Sequence, residues 1–207
     1  MTIHQLQKQF NTLRAQKRYT EGINLIKKWI KDNSRNPQAL YMLGELLDKR
    51  ALTRKNQELK KNDESEARSL YKFLIKNYTS NKDGYFGLIR LYLRNKNKKA
   101  FEIANTYVKI SKDNAYNMYI GHCYLNFNDL DNAEKYYLKA YPYIKNHYSP
   151  DYALAKLYLQ KKNLKKAKEY AKRSISKFKK MDKKYHSSQL AQNYIREMEK
   201  IKKMEAV

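Results

Sequence analysis

The sequence predicts an all-α fold, a solenoid of about five helix hairpins closed by a C-terminal capping helix. Three observations lead there. Between about residues 114 and 180 the chain repeats at a spacing of 34: Gly121 falls opposite Ala155, Tyr124 opposite Tyr158, Leu125 opposite Leu159 and Ala133 opposite Ala167. A fixed period of that size marks one supersecondary unit stacked on copies of itself, each burying a face of its neighbour. Apolar residues recur three and four apart along nearly the whole chain, the pattern of one helix face. And 5 Gly with 3 Pro in 207 residues punctuate the chain too sparsely for an all-β architecture.

Residues 3–16 place Ile3, Leu6, Phe10 and Leu13 on one face, and residues 20–31 do the same with Ile23, Ile26, Trp29 and Ile30. The short polar link Gln16, Lys17 and Arg18 suits an antiparallel hairpin, and neither helix can bury its stripe alone. Asn36-Pro37 then reads as an N-cap followed by Pro in the first turn, opening a helix with Leu40, Leu43, Gly44 and Leu47. Leu6 to Leu40 and Phe10 to Gly44 already keep the 34-residue spacing. After Leu47 the register slips by about 11 residues, close to three helical turns, so the insert near 48–61 lengthens helices rather than forming a loop.

A third hairpin carries Tyr85, Leu88, Ile89 and Tyr92, then Ala100, Ala104 and Tyr107. The fourth covers about 114–147, with Pro142 expected to kink or end its second helix early. Ser149-Pro150 opens the fifth as cap and first turn. A last segment, 184–204, sets Tyr185, Leu190, Tyr194, Ile195, Met198, Ile201 and Met204 along one side, the stripe a solenoid end needs for its cap. With no linker composition anywhere, the expectation is one domain, 1–207, with repeats at about 3–36, 37–81, 82–113, 114–147 and 148–181.

The formal charge is +25, from 45 Lys and Arg against 20 Asp and Glu. Clustered cations bind polyanions by releasing counterions. Yet Lys outnumbers Arg 35 to 10, and Arg is the residue suited to bidentate phosphate and base contacts. The joint excess of Lys, Asn and Tyr also fits an AT-rich coding sequence, the favoured reading, which the gene's base composition tests. The single Cys123 suits a reducing compartment, no run of apolar residues is long enough for a membrane span, and the first 19 residues lack a signal-peptide core. The expected location is cytoplasmic.

These residues resemble the tetratricopeptide repeat (TPR) family. Its pattern of Leu-Gly then Tyr in a first helix, and Ala, aromatic, Ala in a second, is met by Gly121, Tyr124, Ala133, Tyr137 and Ala140, and again by Leu154, Ala155, Tyr158, Ala167 and Ala171. Leu40, Leu43, Gly44, Leu47 and Ala67 follow it across the insert, and the first and third hairpins follow it more loosely. The resemblance implies a right-handed superhelix whose concave groove, lined by the first helix of each hairpin, binds another protein. Counted along the repeats, the inward positions are Gln7 and Asn11; Tyr41, Glu45 and Lys49; Phe86, Arg90 and Arg94; Met118, Tyr119, His122 and Asn126; and Tyr152, Lys156 and Gln160. Their mix, with Arg90, Arg94 and Lys156 central, suggests an acidic or amphipathic peptide. The clamp of chaperone-binding members is not matched: of Gln7, Asn11, Met42, Asp83 and Gly87 only Asn11 agrees, and of Tyr41, Glu45, Gly87, Ala115 and Tyr119 none does.

No chemistry competes with that reading. His122 and Cys123 are neighbours on one helix and so point apart, and no Cys, His or carboxylate set has metal-site spacing. No phosphate loop or nucleophile elbow is present, and Asp129 and Asp131 sit where carboxylates cap helices. The expectation is a non-enzymatic scaffold with no cofactor. Its alternatives are a basic helical-repeat protein associated with nucleic acid through lysines mostly on second helices, such as Lys27, Lys28, Lys135, Lys139, Lys165, Lys166 and Lys172, and a structural subunit docking through the insert or the last helix.

Overall fold

A computed structural model describes residues 1–181 and 189–204, which form eleven α-helices and one 3-10 turn. They fall into two compact units, Met1–Ser111 and Lys112–Val207. The first holds α1 (Ile3–Ala15), α2 (Tyr19–Asp32), α3 (Pro37–Thr53), α4 (Gln57–Asn77), α5 (Lys82–Arg94) and α6 (Lys99–Ser111). The second holds the 3-10 turn Asn114–Tyr116, α7 (Asn117–Asn126), α8 (Leu130–Ile144), α9 (Ser149–Gln160), α10 (Leu164–Lys179) and α11 (Gln189–Lys203). Within each unit consecutive helices pack together, and first helices also meet their counterparts, α1 on α3, α3 on α5 and α9 on α11.

The hairpin turns share one mechanism. α1, α5, α7 and α9 each run through a C-cap into a left-handed residue, Lys17, Lys96, Asn128 and Lys162, with φ of 59°, 50°, 63° and 57°. At each, the next residue's amide reaches back to the carbonyl five residues earlier: Arg18 to Leu13, Asn97 to Tyr92, Asp129 to Tyr124 and Asn163 to Tyr158. That is the Schellman stop, built here without glycine. Asp129 and Asn163 then cap the following helix through Asn132 and Lys166. α3 has Ala51 and Leu52 at the corresponding places and makes no such stop there, the helix running on to Thr53. The extra residues make α3 four longer than α1 and α4 seven longer than α2.

Small residues set the spacing within each unit. Ala67, Ala100, Ala104, Ala133, Ala140, Ala167 and Ala171 are at most 1% exposed. The Tyr71 ring on α4 wedges between Gly44 on α3 and Gly87 on α5; a Cβ on Gly44 would lie 2.8 Å from Cε1, and one on Gly87 2.5 Å from Cζ. Tyr137 on α8 sits likewise on Gly121 of α7, 2.5 Å from where its Cβ would be. Glycine at these crossings is a packing requirement, which offsets its cost of about 1 kcal/mol inside a helix.

One local expectation holds and two change. Asn36 caps α3 through the amides of Gln38 and Ala39, with Pro37 at its first position, as read. Ser149 does not cap α9: it is already helical, and its hydroxyl pairs with His147 Nδ1 at 2.8 Å. Pro142 neither ends nor shortens α8, which continues to Ile144. In α11, Met198 and Ile201 are buried, Tyr194 and Ile195 half-buried, and Met204 beyond its end is exposed; Tyr185 and the Leu190 side chain lie outside the described residues.

Candidate partner-binding faces

In the first unit the expected groove residues stand on α1, where Gln7 Nε2 donates to Asn11 Oδ1 at 3.3 Å, and on α3 and α5, where five of them divide into two groups. Tyr41 and Phe86 are half-buried aromatics: Tyr41 lies 6.2 Å from the Tyr71 ring, and Phe86 meets Tyr107 edge-on at 5.5 Å. Burial pushes the Tyr41 phenol up to about 12, so it is a neutral hydrogen-bonding group at any physiological pH. Glu45, Arg90 and Arg94 belong to an ion-pair network instead. Glu45 is 6% exposed and takes Arg14 Nη1 at 2.8 Å. Asp48, 1% exposed, takes Arg90 Nε at 3.0 Å and Arg94 Nη1 as well. Arg94 Nη2 reaches Glu64 at 3.1 Å, and Arg90 Nη2 donates to the Tyr71 hydroxyl at 3.2 Å. Burial works to lower the Arg90 guanidinium, but the Tyr71 and Asp48 oxygens beside it leave it raised and firmly charged.

The lengthened hairpin carries its own half of this network. Arg50 grips Asp63 with two bonds, at 3.0 and 2.7 Å, and Arg54 Nε adds a third at 2.7 Å. Burial would raise the Asp63 carboxyl, yet the Arg50 and Arg54 hydrogen bonds outweigh it and hold it below the usual range. These pairs tie α3 to α4 across the extra turns, so the projection is braced.

In the second unit Tyr119 is half-buried, 6.3 Å from Tyr116 and 6.0 Å from His122. His122 Nδ1 meets the Tyr137 hydroxyl at 2.8 Å; burial first, and Lys156 second, lower the imidazole to about 4, so it is neutral at pH 7. Asn126, also half-buried, ends α7. Met118, expected on the groove, is instead 8% exposed and belongs to the buried apolar core of the second unit, together with residues of α8, α9 and α10. Tyr152 and Lys156 are engaged by α11: the Tyr152 hydroxyl donates to Glu197 at 2.5 Å, Lys156 pairs with the same carboxylate at 3.0 Å, and the Tyr194 ring stands edge-on 4.5 Å from Tyr152. α11 thus takes the place that the first helix of a sixth hairpin would fill.

Sequence reading missed the acids behind the arginines. Asp48 and Glu64 lie 42 and 30 residues from their partners Arg90 and Arg94, a separation no helix-spacing rule reaches. Cys123 is fully buried and its thiol is pushed up to about 12 by that burial, so it is inert as a nucleophile at neutral pH. Among the described residues no three of His, Cys, Asp and Glu stand together as a metal site, and no helix is long and apolar enough to cross a membrane.

No protein-family model matches the sequence. No curated protein matches it either. Solved structures do. The chain matches the crystal structure of TTC0263, a thermophilic TPR protein in Thermus thermophilus, with a TM-score of 0.71 at 19% identity, over 97% of this chain and 98% of that one. MamA (41-end) from Desulfovibrio magneticus RS-1 gives 0.56 at 16% identity over 86% and 96%. Yeast Tom70 gives 0.51 at 12% identity over 79% of this chain and 40% of Tom70. The chain has the tetratricopeptide repeat fold, an all-α solenoid of helix hairpins.

Proposed function

We propose that this protein is a non-enzymatic interaction scaffold that holds a peptide or partner helix along the first helices of its hairpins. The observation that carries the reading is the half-exposed aromatics Tyr41, Phe86 and Tyr119, kept at the surface of helices whose other faces are buried. Aromatic side chains supply large, rigid contact area and are enriched among the residues that dominate binding energy. Charge contributes less than the sequence alone suggests. Arg90, Arg94 and Lys156 each already face a carboxylate of their own chain. An amphipathic ligand that lays apolar side chains on the aromatic rings therefore fits better than a purely acidic one.

The test selects peptides from a display library against the full chain, then measures the winners against Phe86→Ala and Tyr119→Ala. Loss of one well-placed aromatic anchor should weaken a ligand on that face by about tenfold or more at unchanged helicity. Peptides indifferent to both substitutions would refute the assignment of these faces.

A further inference from the structure

The net charge is not spread evenly. α10 carries seven basic residues and one acid, Glu169, which is tied to Arg173. Lys165, Lys168, Lys172 and Lys179 follow at intervals of three, four and seven residues, so they share one side of the helix, over a length of about 21 Å at 1.5 Å per residue. All but the half-buried Lys168 are exposed, and none of the four has a carboxylate partner among the described residues. At the C-terminal end of this row, Lys172 and Lys179 line a shallow cavity of about 290 Å³ with Ile175, Ser176 and, from α11, Lys202. Among the described residues no acid lines it; Glu199 stands behind Lys202 at 3.4 Å.

We propose that this lysine row is a binding surface for the phosphate backbone of a nucleic acid duplex, read without regard to base sequence. Ammonium groups are compact point charges that suit phosphate, and without arginine in the row there is no fork for bidentate base recognition. Of the apolar residues of α10, Ala167, Ala171, Ile175 and Phe178 are buried and Leu164 at its start is half-buried, so the exposed side has no apolar stripe to insert into a lipid surface. Lysine is depleted at protein–protein interfaces, and the row offers no anchor of the kind such interfaces use. Single strands are held by stacking, but of the aromatics beside the row Phe178 is buried and Tyr170 is already stacked on Tyr158 at 5.5 Å and 11°. A duplex, with a charge every ~1.7 Å along its axis, meets all four lysines along a single groove edge.

The experiment titrates the full chain onto a fluorescent random-sequence 20-base-pair duplex across 50–200 mM salt. Four phosphate contacts predict a log–log slope near −3.6, roughly a hundredfold loss of affinity over that range. The variant Lys165→Gln/Lys168→Gln/Lys172→Gln/Lys179→Gln should weaken binding tenfold or more and flatten the slope toward zero. The single variant Lys172→Gln, which scarcely perturbs the fold, should reduce the slope by about one. A control that removes the same charge elsewhere, Lys8→Gln/Lys28→Gln/Lys31→Gln/Lys72→Gln, should leave most of the affinity in place. Equal losses in the two quadruple variants would assign binding to net charge and overturn the proposal. So would tighter binding to anionic phospholipid vesicles or to a poly-glutamate peptide than to the duplex.

Discussion

Replacing Asp48 with Ala should destabilise the first unit severely, and the structure fixes how severely. Asp48 is 1% exposed and accepts from both Arg90 and Arg94. Removing one partner of a buried ion pair costs about 3–5 kcal/mol, because the remaining charge is stranded in low dielectric. Here the arginines are 39% and 21% exposed, Arg94 keeps Glu64 and Arg90 keeps the Tyr71 hydroxyl. Residual hydration and those bonds reduce the expected loss to about 2–3 kcal/mol, still a large share of a typical 5–15 kcal/mol stability. Urea unfolding followed by the fluorescence of Trp29 measures it cleanly. Trp29 is the chain's single tryptophan, lies in the first unit at 9% exposure, and donates to the Met1 carbonyl at 2.8 Å. A loss below about 0.5 kcal/mol for Asp48→Ala would refute the claim that this network pins α3, α4 and α5 together.

Three further outcomes follow from particular contacts. Gly121→Ala drives a Cβ into the Tyr137 ring and should cost about 1–3 kcal/mol net despite better helix propensity, measured by thermal unfolding. Lys162→Gly should raise stability by about 0.5–1 kcal/mol, because it relieves a left-handed lysine at φ 57°, whereas Lys162→Val should lower it. His122 titrates near 4 in the folded protein against about 6.5 when unfolded. The unfolded chain therefore takes up the proton first, so this contribution is complete above pH 6.5 and is lost as pH falls toward 4. His122→Gln should flatten that acid limb; an unchanged pH profile would contradict the neutral, half-buried imidazole.

Much of the fold was legible because repeat packing is written in short-range patterns. Ala67, Ala133 and Ala167 stand where helices cross, and Gly44 and Gly121 mark the seats of Tyr71 and Tyr137. The 11-residue slip after Leu47 shows itself as helix length on both sides of one turn. The candidate site was less legible, because exposure depends on neighbours far away in sequence. Arg90 and Arg94 read as free cations until Asp48 and Glu64 come against them, and Met118 reads as a groove residue until the core of the second unit takes it in. The turns were hidden differently: three of the four left-handed stops are lysines, a residue that carries no turn signal. One practical consequence is that Arg90→Glu is a poor probe of partner binding, since it would set a carboxylate against buried Asp48.

The most direct test of the scaffold assignment places a photo-crosslinking amino acid at Phe86, at Tyr119 and, as a control on the exposed side of a second helix, at Leu138, and irradiates the full chain in native extract. The account predicts discrete protein adducts from positions 86 and 119, competed away by a selected peptide ligand, and none from position 138. Adducts from position 138 alone, or the same adducts from all three, would contradict it.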